Sequence, residues 1–236
     1  MHIEMLKSLL RQQLVRLGKV LQNGVRPELE AVYQSIFDRD LEKLAIRNEF
    51  YPLGAAANYS LMYLVSRALQ TFSFEQVVEL GAGQTTFLID AFKKRNIFTG
   101  AVLTLEHDEG WRTIVQEKVS HEVQKVPLSN NPYPGGYDLS DAIIPAKIDL
   151  LLIDGPPAIG GKYLSRHSAL PLLNRINQED FVIIVDDAER RGELQLVERI
   201  KAALSSKGVK YRTGDLLAAK RQTVIAGGKF EIAAFF

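Results

Sequence analysis

Val77-Val78-Glu79-Leu80-Gly81-Ala82-Gly83-Gln84-Thr85-Thr86 decides how this chain is read. A short apolar run meets Gly-x-Gly, and a helical pattern begins at once. That is a buried strand turning sharply into a helix. Glycines at such a turn let the backbone approach a ligand closely, while the first N–H groups of the helix point into the gap. A third glycine three residues after the second would complete the dinucleotide fingerprint, but Thr86 stands there, which counts against NAD or FAD. A merely structural tight turn is the competing reading.

The same rhythm runs outward from that stretch. Strand-like runs stand at Gln76–Leu80, Ala101–Glu106, Glu122–Val126, Ile148–Ile153 and Phe181–Asp186. Helical patterns separate most of them, at Thr86–Lys94, Glu109–Val119, Ser165–Arg175 and Glu189–Ser205. Alternation of this kind predicts an α/β fold, with a parallel sheet covered on both faces by crossover helices. The tail changes style. Val209–Thr213, Gln222–Ala226 and Lys229–Phe236 read as strands, with Gly227-Gly228 as the turn of an antiparallel pair. Ahead of the sheet, Leu6, Leu10, Leu14, Leu17 and Leu21 form one helical stripe, and a second helix is expected from about Glu28 to Asn48. Residues 1–50 are therefore expected to be a helical cap or oligomerisation segment offering a homodimer seam, and residues 51–236 the main domain.

Composition narrows the function. Among 236 residues, 29 Lys and Arg face 28 Asp and Glu, for a net charge of +1. Such a balance supplies no field for nucleic acid, and no basic stripe interleaved with aromatics appears. The absence of cysteine removes disulfides, thiolate nucleophiles and zinc-ribbon sites. Charged residues interrupt the N-terminal apolar stretches, so no secretory signal is expected. Phe50–Ser66, the longest uncharged run, is too short for a membrane span and contains Pro52, Gly54 and Asn58. The expectation is a cytoplasmic protein with no membrane or nucleic-acid partner.

Two acidic residues sharpen the glycine turn. Glu79 at the strand end is placed to receive a ligand's ammonium or to order the loop. Glu106 ends the second strand, where a carboxylate accepts hydrogen bonds from both hydroxyls of a ribose. A solvated strand end is the plainer alternative. A nucleoside ligand is the expectation.

With those residues in place, Glu-Leu-Gly-Ala-Gly followed by Thr104-Leu105-Glu106-His107-Asp108 and Trp111 resembles the class I S-adenosylmethionine-dependent methyltransferases. Within that group, Leu151–Pro157 followed by Arg166 and Ala169–Leu173 is similar to the small-molecule subfamily called methyltransferase domain 24. The resemblance implies a Rossmann-like, doubly wound, seven-stranded, mostly parallel sheet with an antiparallel last strand. It implies the methionyl end of S-adenosylmethionine near Glu79, Gly81 and Gly83, with the ribose at Glu106. The cofactor-binding candidates are Glu79, Gly81, Ala82, Gly83, Thr85, Glu106, His107 and Asp154. The acidic residue that many members carry after the third strand is missing from Val126-Pro127-Leu128-Ser129, leaving His107 and Leu128–Ser129 as adenine contacts.

Asp154 ends the fourth strand, and Asp186-Asp187 ends the fifth. Were those strands neighbours, the three carboxylates would converge at the carboxyl edge of the sheet, where ligands bind. Three hard oxygen donors suit Mg²⁺, which would hold an acceptor hydroxyl and lower its pKa. The layout is similar to that of catechol-type O-methyltransferases, with Asp187 in place of their amide. Against metal, Asp186 and Glu189 are spaced as a helix capping box, and Asp154 could cap the Gly155-Pro156 turn. Bare carboxylates about 4 Å apart repel by about 4 kcal/mol at an effective dielectric near 20, so a cation, a proton, Arg166 or Arg190 must answer them.

The loop Gly155–Tyr163, rigid at its prolines and flexible after, carries the candidate bases Lys162 and Tyr163, with His167 just beyond. Asp154, Lys162 and His167 are the catalytic candidates. Asn130–Tyr137 is a candidate second lid whose tyrosines line an acceptor pocket or pin the loop. The reading is an enzyme, a transferase that methylates a hydroxyl of a small-molecule acceptor. The alternative is a catalytically inactive nucleoside-binding or scaffold protein of the same fold.

Overall fold

The computed structural model describes residues 7, 10, 13, 24–52, 57–158 and 163–236. The leucine stripe from Leu6 to Leu21 lies outside them, save Leu10, which is helical together with Lys7 and Gln13. In chain order come α1 (Glu30–Lys43), α2 (Tyr59–Thr71), β1 (Gln76–Leu80), α3 (Gln84–Lys94), β2 (Ala101–Glu106), α4 (Glu109–Gln116) and β3 (Glu122–Lys125). Then follow β4 (Leu128–Ser129), β5 (Gly136–Tyr137), β6 (Leu150–Ile153), β7 (Phe181–Val185), α5 (Arg191–Ser206), β8 (Arg212–Leu217) and β9 (Arg221–Gly227).

Seven strands make one sheet in the order β3-β2-β1-β6-β7-β9-β8. All pairs from β3 to β7 are parallel, and β9 runs antiparallel to both β7 and β8. This is the Rossmann-like sheet with a reversed last strand. Its strands β6 and β7 are apolar without interruption because both faces are covered. Alternate residues feed opposite cores: Val77, Leu150, Leu152, Val182 and Ile184 pack beneath α1, α2 and α3. Val78, Leu151, Ile153, Ile183 and Val185 meet α5 and the 3₁₀ segment Ser165–Asn174 on the other side.

Asn58 caps α2 by accepting from the Leu61 N–H, and Asp108 caps α4 by accepting from the Trp111 N–H at 2.7 Å. The α1 helix shares the first core through Phe37 and Leu41. Its Glu30 carboxylate accepts from the Ser60 and Ala219 N–H groups, tying residues before 50 to the sheet. No helix among the described residues is long and apolar enough to cross a membrane.

Several expectations change. The α1 helix ends at Lys43, well short of Asn48, and Ala45 takes φ +52° just beyond it. Ser165–Asn174 is 3₁₀ rather than α, with Pro171 inside it, where its missing N–H bars a regular ladder. The tail's turn lies between β8 and β9 at residues 218–220 and not at Gly227-Gly228. The expected strand Lys229–Phe236 belongs instead to a 3₁₀ segment, Gly228–Phe235. Gly228 enters it at φ +61°, the Lys229 N–H donates to Asp180, and Phe230 packs edge-on against Phe74 at 5.0 Å. Burying that apolar face against the sheet outweighs a further strand pairing.

Candidate active site

The strand order reverses between β1 and β6, and the loops leaving their carboxyl ends separate there. Gly81 takes φ +96°, and a Cβ on it would lie 2.9 Å from the Gly155 nitrogen. Reciprocally, a Cβ on Gly155 would lie 2.7 Å from the Gly81 Cα and from the Tyr137 hydroxyl. Two glycines are needed for these loops to touch, and the touch opens a crevice where open α/β sheets bind ligands.

That crevice is a cleft of about 660 Å³. One half is lined by Gly81, Ala82, Gly83, Glu106, His107, Asp108 and Trp111. Its far half is lined by Asp154, Pro157, Arg166, Asp187, Arg190 and Lys220, with Tyr137 and Gly155 between. The volume falls within the roughly 300–1,000 Å³ of small-molecule sites.

Of the expected cofactor residues, Gly81, Ala82, Gly83, Glu106, His107 and Asp154 line this cleft together. Glu79 and Thr85 do not. Glu79 is fully buried below the glycine loop, where it accepts from Thr85 Oγ1 at 2.5 Å, Thr86 Oγ1 at 2.7 Å and Thr104 Oγ1 at 2.8 Å. Burial pushes its carboxyl up to about 7 against the pull of those hydroxyls. Thr86 also explains the missing third glycine. Its hydroxyl accepts from the Gly83 N–H at 2.8 Å, so it caps α3 while anchoring it to Glu79.

Glu106 faces the cleft. Its Oε2 accepts from the Ala82 N–H at 3.1 Å, and its Oε1 accepts from the His107 and Asp108 N–H groups at 2.7 and 2.8 Å. The glycine loop is held on its other side by Trp111, whose indole N–H donates to the Ala82 carbonyl at 2.7 Å. Leu128 and Ser129 form a small antiparallel ribbon with Tyr137 and Gly136 and lie away from the cleft. Tyr133 and Tyr137 do line an apolar pocket, of about 340 Å³, beside the main cleft.

Asp154, Asp186 and Asp187 converge as expected, each offering an oxygen within 4.8 Å of the others. The helix-capping alternative fails: α5 begins at Arg191 with Arg190 before it, beyond both Asp186 and Glu189. What answers the carboxylates is protein. Arg166 Nη2 lies 3.3 Å from Asp154 and 3.0 Å from Asp187, and Arg190 lies 2.9 Å from Asp187. Lys220 Nζ lies 3.1 Å from Asp186 Oδ2 and 3.2 Å from Asp187 Oδ1. Buried Glu193 adds a fourth carboxylate, 3.6 Å from Arg166. A divalent ion would have to displace these cations, so the donor set as arranged does not fit one.

Burial and the Asp186 charge hold the Asp154 carboxyl well above its ordinary range, against Arg166 and Lys220. For Asp186, burial acts upward too, but Lys220, Arg166 and the Gln222 amide outweigh it and hold its carboxyl low. The two neighbouring carboxyls are therefore pushed in opposite directions. Asp187 takes φ +56°, a conformation rare for a residue with a side chain and common where a site is built.

His167 is corrected from catalytic candidate to core connector. Its Nε2 pairs with the Gly192 carbonyl at 2.9 Å and its Nδ1 with Arg199 at 3.1 Å, so neither nitrogen is left for an acceptor. Burial lowers its pKa. Lys162 lies outside the described residues, and Tyr163 is exposed. Lys220 is the residue that sequence reasoning missed.

No family model and no curated protein matches the chain. Solved structures to which it is similar include methyltransferases. One is an O-methyltransferase from Bacillus cereus in complex with SAH, 16% identical over 82% of this chain and 90% of that one, with a TM-score of 0.49. Another is a methyltransferase from Pyrococcus furiosus, 20% identical over 84% and 96%, with a TM-score of 0.47. A third is precorrin-6y C5,15-methyltransferase from Geobacter metallireducens, 13% identical over 80% and 96%, with a TM-score of 0.46.

Proposed function

We propose that this protein is an S-adenosylmethionine-dependent methyltransferase acting on a hydroxyl of a small-molecule acceptor. The observation that carries the reading is the cleft at the switch point, with two touching glycines at its base and Glu106 on its wall. Glu106 Oε1 is filled by two backbone N–H groups, whereas Oε2 accepts one and keeps room for a ribose hydroxyl. Trp111 and His107 supply flat faces beside it. When bound, the cofactor supplies a methyl group on an electrophilic sulfonium.

The chain's part in such a displacement is orientation and proton handling. Gly81 and Gly83 let the ligand lie against backbone. The acceptor occupies the far half of the cleft, where Asp154, Arg166, Arg190 and Lys220 converge. Those cations favour an oxygen as it loses its proton. Asp187, on the cleft wall, offers a carboxylate to take up that proton. No step is routed through a divalent ion. Soluble expression in the cytoplasm and a dimer seam in the N-terminal helices remain part of this reading.

Calorimetric titration with S-adenosylhomocysteine tests it. Saturable heat and a raised melting temperature are expected, and silence in both at millimolar ligand would sink the proposal. Tight binding with no transfer to any acceptor in a broad hydroxyl panel would favour the scaffold reading instead.

A further inference from the structure

Three carboxylates within 4.8 Å of one another are the ligand spacing of a divalent ion, since oxygens about 2.1 Å from Mg²⁺ stand about 3–4 Å apart. Here two nitrogens do the bridging. Lys220 Nζ joins Asp186 to Asp187, and Arg166 Nη2 joins Asp187 to Asp154. Together they carry the +2 that a metal would bring, attached covalently to the chain. Neither is a loose surface charge: the Arg166 side chain is 5% exposed and that of Lys220 17%.

The fold delivers Lys220 to this place. Antiparallel pairing sets Thr223 opposite Val185, so the residues before β9 lie beside those following β7. The turn is then tied down. The Ala188 N–H donates to the Arg221 carbonyl at 2.7 Å, and the Arg221 N–H to Glu189 at 2.9 Å. Beneath it, Gln222 donates to Asp186 Oδ1 at 2.7 Å, fixing the carboxylate that Lys220 meets.

We infer that the Lys220 ammonium is the resident cation of this site, standing where a divalent ion would stand and making the protein indifferent to such ions. An ammonium has three N–H bonds. Asp186 Oδ2 takes one, Asp187 Oδ1 lies 3.2 Å from the nitrogen as an ion pair without a hydrogen bond, and Lys220 lines the cleft, where a remaining N–H serves an acceptor oxygen. The inference goes beyond the proposed methyl transfer and does not depend on it, because its test needs no turnover.

The probe is Mn²⁺, followed on the full-length protein by calorimetry, electron paramagnetic resonance and thermal melting. The native protein and Lys220→Arg should bind none at millimolar Mn²⁺ and melt unchanged. Lys220→Met should take up one ion per chain and melt about 5–10 °C higher at Mn²⁺ a hundredfold above its Kd. Adding Asp187→Asn should abolish that gain. Mn²⁺ bound by the native protein and lost in Asp187→Asn overturns the inference, as does a folded Lys220→Met that stays metal-blind. Should Lys220→Met fold neither with nor without Mn²⁺, the native titration and Lys220→Arg decide it, since either one binding at this site refutes a resident ammonium.

Discussion

Alanine at Gly81 and alanine at Gly83 should behave as opposites, although only Ala82 separates them. At Gly81 the backbone is left-handed at φ +96°, and the new methyl would lie 2.9 Å from the Gly155 nitrogen and 3.1 Å from its Cα. The conformation costs a side chain about 1–2 kcal/mol. Overpacking against backbone, which cannot rotate away, adds about 1–3 kcal/mol. A loss of about 2–5 kcal/mol follows, or a melting temperature lower by roughly 5–15 °C in a chain of this length. Gly83 sits at φ −176°, ordinary extended backbone, and a Cβ there meets nothing within 4 Å. Gly83→Ala should therefore melt within about 0.5 kcal/mol of the native protein while adding a methyl to the cleft wall. Differential scanning calorimetry gives the first quantity, and S-adenosylhomocysteine titration reports the cleft. Gly81→Ala should lose both stability and ligand, and Gly83→Ala ligand affinity alone. A Gly81→Ala protein melting like the native one, or a Gly83→Ala protein that unfolds early, would refute the contact between the two loops.

Glu79, with its carboxyl raised by burial to about 7, contributes stability that is present below its unfolded value of 4.5 and is lost as pH rises to about 7. The loss amounts to about 3 kcal/mol. Melting curves from pH 4 to 8 should show it in the native protein and not in Glu79→Gln; parallel curves would mean Glu79 titrates normally. Arg166→Met strands Asp154, Asp187 and Glu193 without their shared partner and should cost about 3–5 kcal/mol in urea unfolding. A cost below about 1 kcal/mol would show those carboxylates to be answered elsewhere. His167→Ala should destabilise by about 2–4 kcal/mol, as the Gly192 carbonyl and Arg199 lose their partner. The pH profile of turnover should keep its shape, and loss of its acid limb would return His167 to the chemistry.

The parallel half of the fold was legible because its signal is local. Five strand-like runs, most of them separated by helical patterns, point to a doubly wound sheet, and β1 and β2 fall on the residues expected. The glycine turn was legible for the same reason: Gly81, Gly83 and Glu106 are close in sequence or at strand ends, where position dictates what they face. The tail was not. Gly227-Gly228 looks like a hairpin turn, but Gly228 opens a 3₁₀ segment, while Ala218-Ala219-Lys220 has no glycine or proline to mark it. That displacement concealed Lys220, since only a strand beginning at Arg221 brings its neighbour beside Asp186. His167 misled because a histidine after a flexible loop resembles a base, and only packing reveals that both nitrogens are engaged. Glu79 pointed toward the right place but is held one layer below it, by threonine hydroxyls whose role no spacing rule announces.

The indole that latches the glycine loop belongs to the chain's only tryptophan. Because Trp111 is 38% exposed and lines the cleft, its emission reports on that one location without competing signals. A molecule settling against the loop should alter the colour or intensity of this fluorescence, and breaking the Ala82 latch should alter it differently. The unlabelled protein is thus its own optical sensor, ready for screening nucleosides and acceptors before any substrate is known.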